Sequence, residues 1–152
     1  MKRKTKVYLD TSVISALFDE RNPERKSLTE AFFKEIRIFD VFISEITSVE
    51  IDRTPDLDLQ NKMRKKTSEF STLSLTDEVE WLAKEYIRYG AIPENYLEDA
   101  YHIAIAVIHD IDYLLSWNFK HIVRIKTKDI VRMVNTLNNL RSIEIMTPAE
   151  LL

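Results

Sequence analysis

The sequence contains no cysteine. That excludes a disulfide framework and a thiolate zinc site, so any metal ion must be held by oxygen or by the three histidines. No run of about 18 uncharged apolar residues is present to span a bilayer. The basic start, Met1 to Lys6, meets only Val7-Tyr8-Leu9 before Asp10, which is too short for the apolar region of a secretory signal. A soluble, cytoplasmic protein in a reducing compartment is therefore expected. An excess of positive charge is missing too: 22 Lys and Arg stand against 25 Asp and Glu, a net charge of −3, whereas nucleic-acid binders are more often basic. The cations are bunched, however, at Lys2 to Lys6, Lys62 to Lys66 and Lys120 to Arg132, each bunch being either a solvated face or a patch for a polyanion. Repeats, low-complexity tracts and linkers are absent. With 152 residues and 45% hydrophobic content, one domain with a sizeable core is expected over 1–152.

What is present alternates between two periodicities. Val7-Tyr8-Leu9-Asp10 reads as a short buried strand ending on an acid, followed by a helical pattern over Thr11 to Glu20. Pro23 opens a second helix through Ile36, and Ile38 to Ile43 is β-branched and aromatic enough for a strand. The helix carrying Glu50 begins either at Ser44, as its cap, or at Thr47, where Thr47 and Glu50 have the spacing of a capping box. Leu57 to Phe70 is a basic surface helix, and Thr76 starts another that stops near Gly90, the only glycine. Leu97 to Ile108 is apolar almost all round and predicts a central helix. A strand over Asp112 to Ser116, a helix over Lys128 to Leu140 and a strand over Ile143 to Met146 complete the pattern. Such alternation predicts an α/β fold, a three-layer α/β/α sandwich with a mostly parallel central sheet.

Three acids stand where this fold places chemistry. In open parallel sheets ligands sit beyond the carboxyl ends of the strands, and Asp10 ends the first one, where it either caps the next helix or faces a ligand. Asp99 lies in the first turn of the apolar central helix, and burying an unpaired carboxylate there is costly. His102, one turn on, is its simplest partner, with a metal ion as the alternative. If its helix starts at Ser44, Glu50 lies in the second turn beside Ile46 and Val49, where nothing but a ligand explains it. Clustered carboxylates repel, and a hard divalent cation resolves the repulsion.

The stretches Val7-Tyr8-Leu9-Asp10-Thr11-Ser12, Ile43 to Glu50, Leu97 to Ala104 and Leu114 to His121 resemble, in order, the four signature stretches of PIN domains, closest to the VapC-like toxins. The resemblance implies that Asp10, Glu50 and Asp99 are catalytic metal ligands for Mg²⁺ or Mn²⁺. It implies supporting roles for Ser12 and Ser116, and it puts Asn118 where the family usually has a fourth acid, so a second metal ion would be bound weakly. It further implies an endoribonuclease leaving a 5′-phosphate, an RNA substrate, a small antitoxin partner and a homodimer. Lys120, His121, Arg124 and Lys126 follow directly and are candidates to hold RNA phosphates. Trp117 is either a base-stacking residue or core. An aspartyl phosphatase is disfavoured, because Ser12 stands where that class has its second acid. A non-catalytic PIN-like RNA-binding module remains the alternative, given the missing fourth acid.

Overall fold

A computed structural model describes residues 3–152; of the basic N-terminal run, Met1 and Lys2 lie outside the described residues. Five strands form one sheet in the order β3-β2-β1-β4-β5, where β1 is Thr5–Leu9, β2 Phe39–Ser44, β3 Ser71–Leu73, β4 Tyr113–Leu115 and β5 Glu144–Met146. Every pairing is parallel, with Tyr8 opposite both Phe42 and Leu114, and Leu114 opposite Ile145. Among the described residues the strands are joined through seven α-helices: α1 Thr11–Ala16, α2 Pro23–Lys34, α3 Glu45–Asp52, α4 Leu57–Thr67, α5 Asp77–Arg88, α6 Leu97–Ile108 and α7 Ile125–Leu137.

Strand alternation divides the core in two. Tyr8, Leu114 and Ile145 pack with Leu82 and Tyr86 of α5, Ile103 and Val107 of α6 and Val134 of α7. Val7, Leu9, Val41, Ile43 and Leu115 pack on the opposite face with Val13 and Ile14 of α1, Phe32 of α2, Ile51 of α3 and Met63 of α4. The expected α/β/α sandwich is therefore the observed one, and each fully buried aliphatic side chain in it is worth about 1.5–3 kcal/mol of transfer free energy. Among the described residues no helix is long and apolar enough to cross a membrane.

Several element ends differ from the sequence reading. Helix α1 stops at Ala16 rather than continuing to Glu20, and α4 stops at Thr67. The α3 helix begins after Ser44, whose hydroxyl accepts from Ile46 N while Thr47 Oγ1 accepts from Ser44 N, so the capping box is Ser44 with Thr47 and leaves Glu50 free of it. Val49 is exposed rather than inward. Helix α7 runs three residues earlier than its apolar pattern indicated at both ends. Strand β3 was not anticipated: Ser71-Thr72-Leu73 is short and mostly exposed, and pairing with β2 defines it.

Candidate active site

The end of β1 delivers Asp10 to the carboxyl edge of the sheet between β2 and β4. Asp10 is 3% exposed, and it caps α1 by accepting from Val13 N at 3.3 Å, so the capping reading holds for an acid that is also buried. Each carboxylate oxygen is also held by a serine. Ser12 Oγ donates to Oδ1 and Ser116 Oγ to Oδ2, both at 2.5 Å. Each serine in turn accepts a backbone N–H of the turn after β4, Ser12 from Trp117 at 2.8 Å and Ser116 from Asn118 at 2.9 Å. The carboxylate plane is thereby locked to two strand ends at once. Burial raises the Asp10 pKa above its ordinary value and the nearby Glu50 adds to the rise, against the opposing influence of His102 and the two serines.

Glu50, in the second turn of α3, accepts from Thr11 Oγ1 at 2.7 Å and meets His102 Nε2 at 2.6 Å, both through Oε1. The other ring nitrogen of His102 lies 2.6 Å from the Tyr8 hydroxyl, itself 2.7 Å from Ser44 Oγ. A buried line therefore runs from the cap of α3 through the middle of β1 and across α6 to Glu50. Burial pushes the Glu50 carboxyl up, but its interactions with His102, Thr11 and Arg53 outweigh that and hold it below the usual value. Burial would lower His102, yet Tyr8, Glu50 and Asp10 together hold it well above the ordinary imidazole value.

Asp99 does not pair with His102. The His102 ring is taken up by Tyr8 and Glu50, and Asp99 instead meets His121 Nδ1 at 3.0 Å through Oδ2. His121 is 6% exposed and its ring packs against Tyr96, tilted by 43° with 3.9 Å between centroids, so it is a wall of the site rather than a free surface side chain. Asn118 Oδ1 accepts from His121 N at 2.9 Å and closes the turn that positions this ring. Of the other candidate RNA-binding residues, Lys120 and Lys126 are exposed, while Arg124 leans on Thr127 and the Ala91 carbonyl. Trp117 is buried, donates from Nε1 to Thr29 Oγ1 and carries Arg25 over its ring, which makes it core.

The three acids thus belong to one connected set, Thr11 linking the Asp10 segment to Glu50 and the Ser116-to-His121 turn linking Asp10 to Asp99. Among the described residues no three acidic or histidine side chains are gathered as ready metal ligands, because Glu50 and Asp99 are each turned toward a histidine. Their second oxygens, Glu50 Oε2 and Asp99 Oδ1, take no hydrogen bond among the described residues. Tyr8 and Thr11 were missed by the sequence reading, which took Ser44 only as a helix cap. The one available signal was Tyr8 itself, since a hydroxyl in the middle of a buried strand needs a partner.

The PIN domain family model matches residues 7–125, a span that contains all three acids. The chain belongs to the PIN domain family. As a PIN domain it shares its fold with VapC20 of Mycobacterium tuberculosis, described as a sarcin-ricin loop cleaving toxin, at 15% identity and a TM-score of 0.59 over 76% of this chain and 92% of that one. It shares it also with VapBC2 from Rickettsia felis, solved bound to a DNA fragment from their promoter, at 11% identity and a TM-score of 0.57 over 93% and 97% of the two chains. At such identities the likeness is one of fold. No curated protein matches this PIN domain by sequence.

Proposed function

We propose that this PIN domain is a metal-dependent endoribonuclease, the toxin of a toxin-antitoxin pair, acting through Asp10, Glu50 and Asp99. The observation that carries the reading is Asp10: a carboxylate stripped of solvent, fixed at both oxygens by serines, whose neighbour Thr11 holds a second acid, Glu50. A purely structural cap needs neither the serine clamp nor a second acid beside it.

An all-oxygen donor set with two unengaged carboxylate oxygens fits a hard divalent cation, Mg²⁺ or Mn²⁺. When bound, such an ion supplies activation of a water for attack on the phosphodiester and neutralises charge in the transition state. The chain's own part is orientation. Ser12 and Ser116 hold Asp10 in one plane, Thr11 holds Glu50, and His121 holds Asp99 at the strand edge. Attack by water on phosphorus, with the 3′-oxygen leaving, gives the 5′-phosphate product. The VapC20 and VapBC2 neighbours support the toxin reading and a small antitoxin partner. A homodimer acting in the cytoplasm completes the proposal.

Incubating the purified protein with structured and single-stranded RNA in Mg²⁺ or Mn²⁺ tests the reading, with cleavage products expected that vanish when the metal is chelated. One observation favours a second reading, a PIN-like module that binds RNA without cutting it: Asn118 brings no charge and spends its oxygen on a turn. RNA binding without any metal-dependent product would establish that alternative.

A further inference from the structure

An open cleft of about 600 Å³ lies between the end of α5 and the start of α7. Four cations line it, Lys84 and Arg88 from α5 and Arg124 and Lys126 from α7 and its cap, against one carboxylate, Glu94. The backbone fixes one side of this cleft. Gly90 turns at φ +87° to end α5, Ala91 N then reaches back to Tyr86 O, and Ile92 is buried, so the segment 90–94 is held in place. Arg124 is held across it, donating from Nε to Thr127 Oγ1 at 2.7 Å and from Nη2 to the Ala91 carbonyl at 3.2 Å.

Charge balance separates this cleft from an ordinary solvated face. The basic helix α4 pairs three of its four cations, Lys62 with Asp58, Arg64 with Asp52 and Lys66 with Glu69, and leaves only Lys65 without an ion pair among the described residues. Among the described residues Lys84, Arg124 and Lys126 form no ion pair, and Arg88 meets only Glu85, at 3.2 Å. In a chain of net charge −3, unneutralised cations gathered around one concavity repel each other until an anion enters. The cleft also adjoins the carboxylates. Tyr96, in the same turn as Glu94, packs at a tilt against His121, whose ring meets Asp99 and whose carbonyl accepts from Thr127 in α7.

We propose that this cleft holds phosphates of the RNA strand that flank the phosphate being cut, with Lys84 and Arg88 of α5 binding them alongside Arg124 and Lys126. The assignment rests on the ribonuclease reading above. A strand seated at the acids carries like charge on every neighbouring nucleotide, and the cleft beyond the Tyr96 and His121 wall offers the neutralising set.

The experiment measures binding of a short fluorescent single-stranded RNA by anisotropy across a salt series, in full-length Asp10→Asn protein so that no cutting intervenes. Adding Lys84→Ala and Arg88→Ala should weaken binding and flatten the salt dependence by about 0.7 in slope for each phosphate that is no longer neutralised. Both side chains are exposed, so the fold is retained, and Lys126→Ala gives an independent second variant expected to lower the slope in the same way. Affinity and slope equal to the parent in both variants would overturn the proposal. So would loss of binding to polyglutamate with RNA binding intact, which would assign the cleft to an acidic protein segment. Wild-type cleavage of the same RNA in Mg²⁺ or Mn²⁺ is measured alongside. If it proceeds while the variants bind like the parent, the cleft assignment alone falls; if the protein neither cuts nor binds RNA, both readings fall.

Discussion

At the scale of single residues, the site is a set of carboxylates each with a distinct holder. Asp10 is held by two hydroxyls, Glu50 by a threonine and a histidine, and Asp99 by a histidine. Hydroxyls orient a carboxylate without neutralising it, so the hydrogen-bond partners of Asp10 bring it no counter-charge. Removing one of them therefore loosens geometry rather than charge. Ser116→Ala is expected to lower cleavage by roughly tenfold, about 1.4 kcal/mol and comparable to one hydrogen bond to a charged group, in single-turnover cleavage at saturating metal; an unchanged rate would mean the clamp has no part in positioning. Asn118 makes the opposite test, of charge at constant shape. Asn118→Asp keeps the acceptor that closes the turn with His121 N and adds an anion near the other acids. The metal concentration for half-maximal cleavage should drop about fivefold, on the scale of ~1 kcal/mol for one added charge in a partly hydrated site. Superimposable titration curves would place Asn118 outside the metal's reach.

At the scale of elements, two polar fastenings hold the layers around the site. Tyr86 of α5 donates to Asn135 Oδ1 of α7 at 2.5 Å within the core, and Asn135 Nδ2 donates to the Arg141 carbonyl. Tyr86→Phe leaves the amide oxygen buried and unpaired, and should cost about 1–3 kcal/mol in urea unfolding; a loss below the error of the measurement would show the amide rotating to another donor. At the far edge of the sheet Asp112 joins Arg3, Arg141 and Lys6 N, tying the starts of β1 and β4 together. Burial raises the Asp112 pKa, but these donors outweigh it and hold it below the reference value of 3.8. A lowered carboxylate contributes stability above the unfolded pKa and loses it as pH falls through the folded one. The gap in melting temperature between wild type and Asp112→Asn should hold from neutral pH down to about pH 4 and close in stronger acid, and a gap independent of pH would contradict the ion-pair account.

The same scale shows why part of the structure was readable from sequence. Helix α6 matches its apolar pattern over Leu97–Ile108, and β1 ends at Leu9, one residue before the acid taken as its end, because in both the burial pattern is set by a single element. Strand β3 was invisible, since Ser71 and Thr72 are exposed and acquire their conformation from β2. Helix α7 begins after Arg124, which has no side-chain cap to announce it. Asp10 and Asp99 could be located on the fold because they lie at element starts, and Glu50 because its helix begins after Ser44, whereas the pairing of Glu50 with His102 and of Asp99 with His121 joins residues 52 and 22 positions apart and is decided by tertiary packing. The i,i+3 spacing of Asp99 and His102 suggested a local pair, and Tyr8 and Glu50 took the histidine instead.

At the scale of the whole molecule, the sheet presents its acids at one edge, flanked by the cationic cleft between α5 and α7. Met133 and Leu137, one turn apart on α7, expose 42% and 63% of their surface and are an apolar strip that the proposed homodimer would bury. Sedimentation equilibrium should therefore report a dimer, shifted toward monomer by Leu137→Lys; a monomer at all concentrations would remove that part of the proposal. The most direct test of the central claim compares RNA cleavage by wild type and by Asp10→Asn in Mg²⁺ or Mn²⁺, with and without chelator, on proteins shown by circular dichroism to be equally folded. The account predicts metal-dependent cutting by the wild type and none by the variant. Cutting that survives chelation, or that persists at full rate in Asp10→Asn, would contradict it.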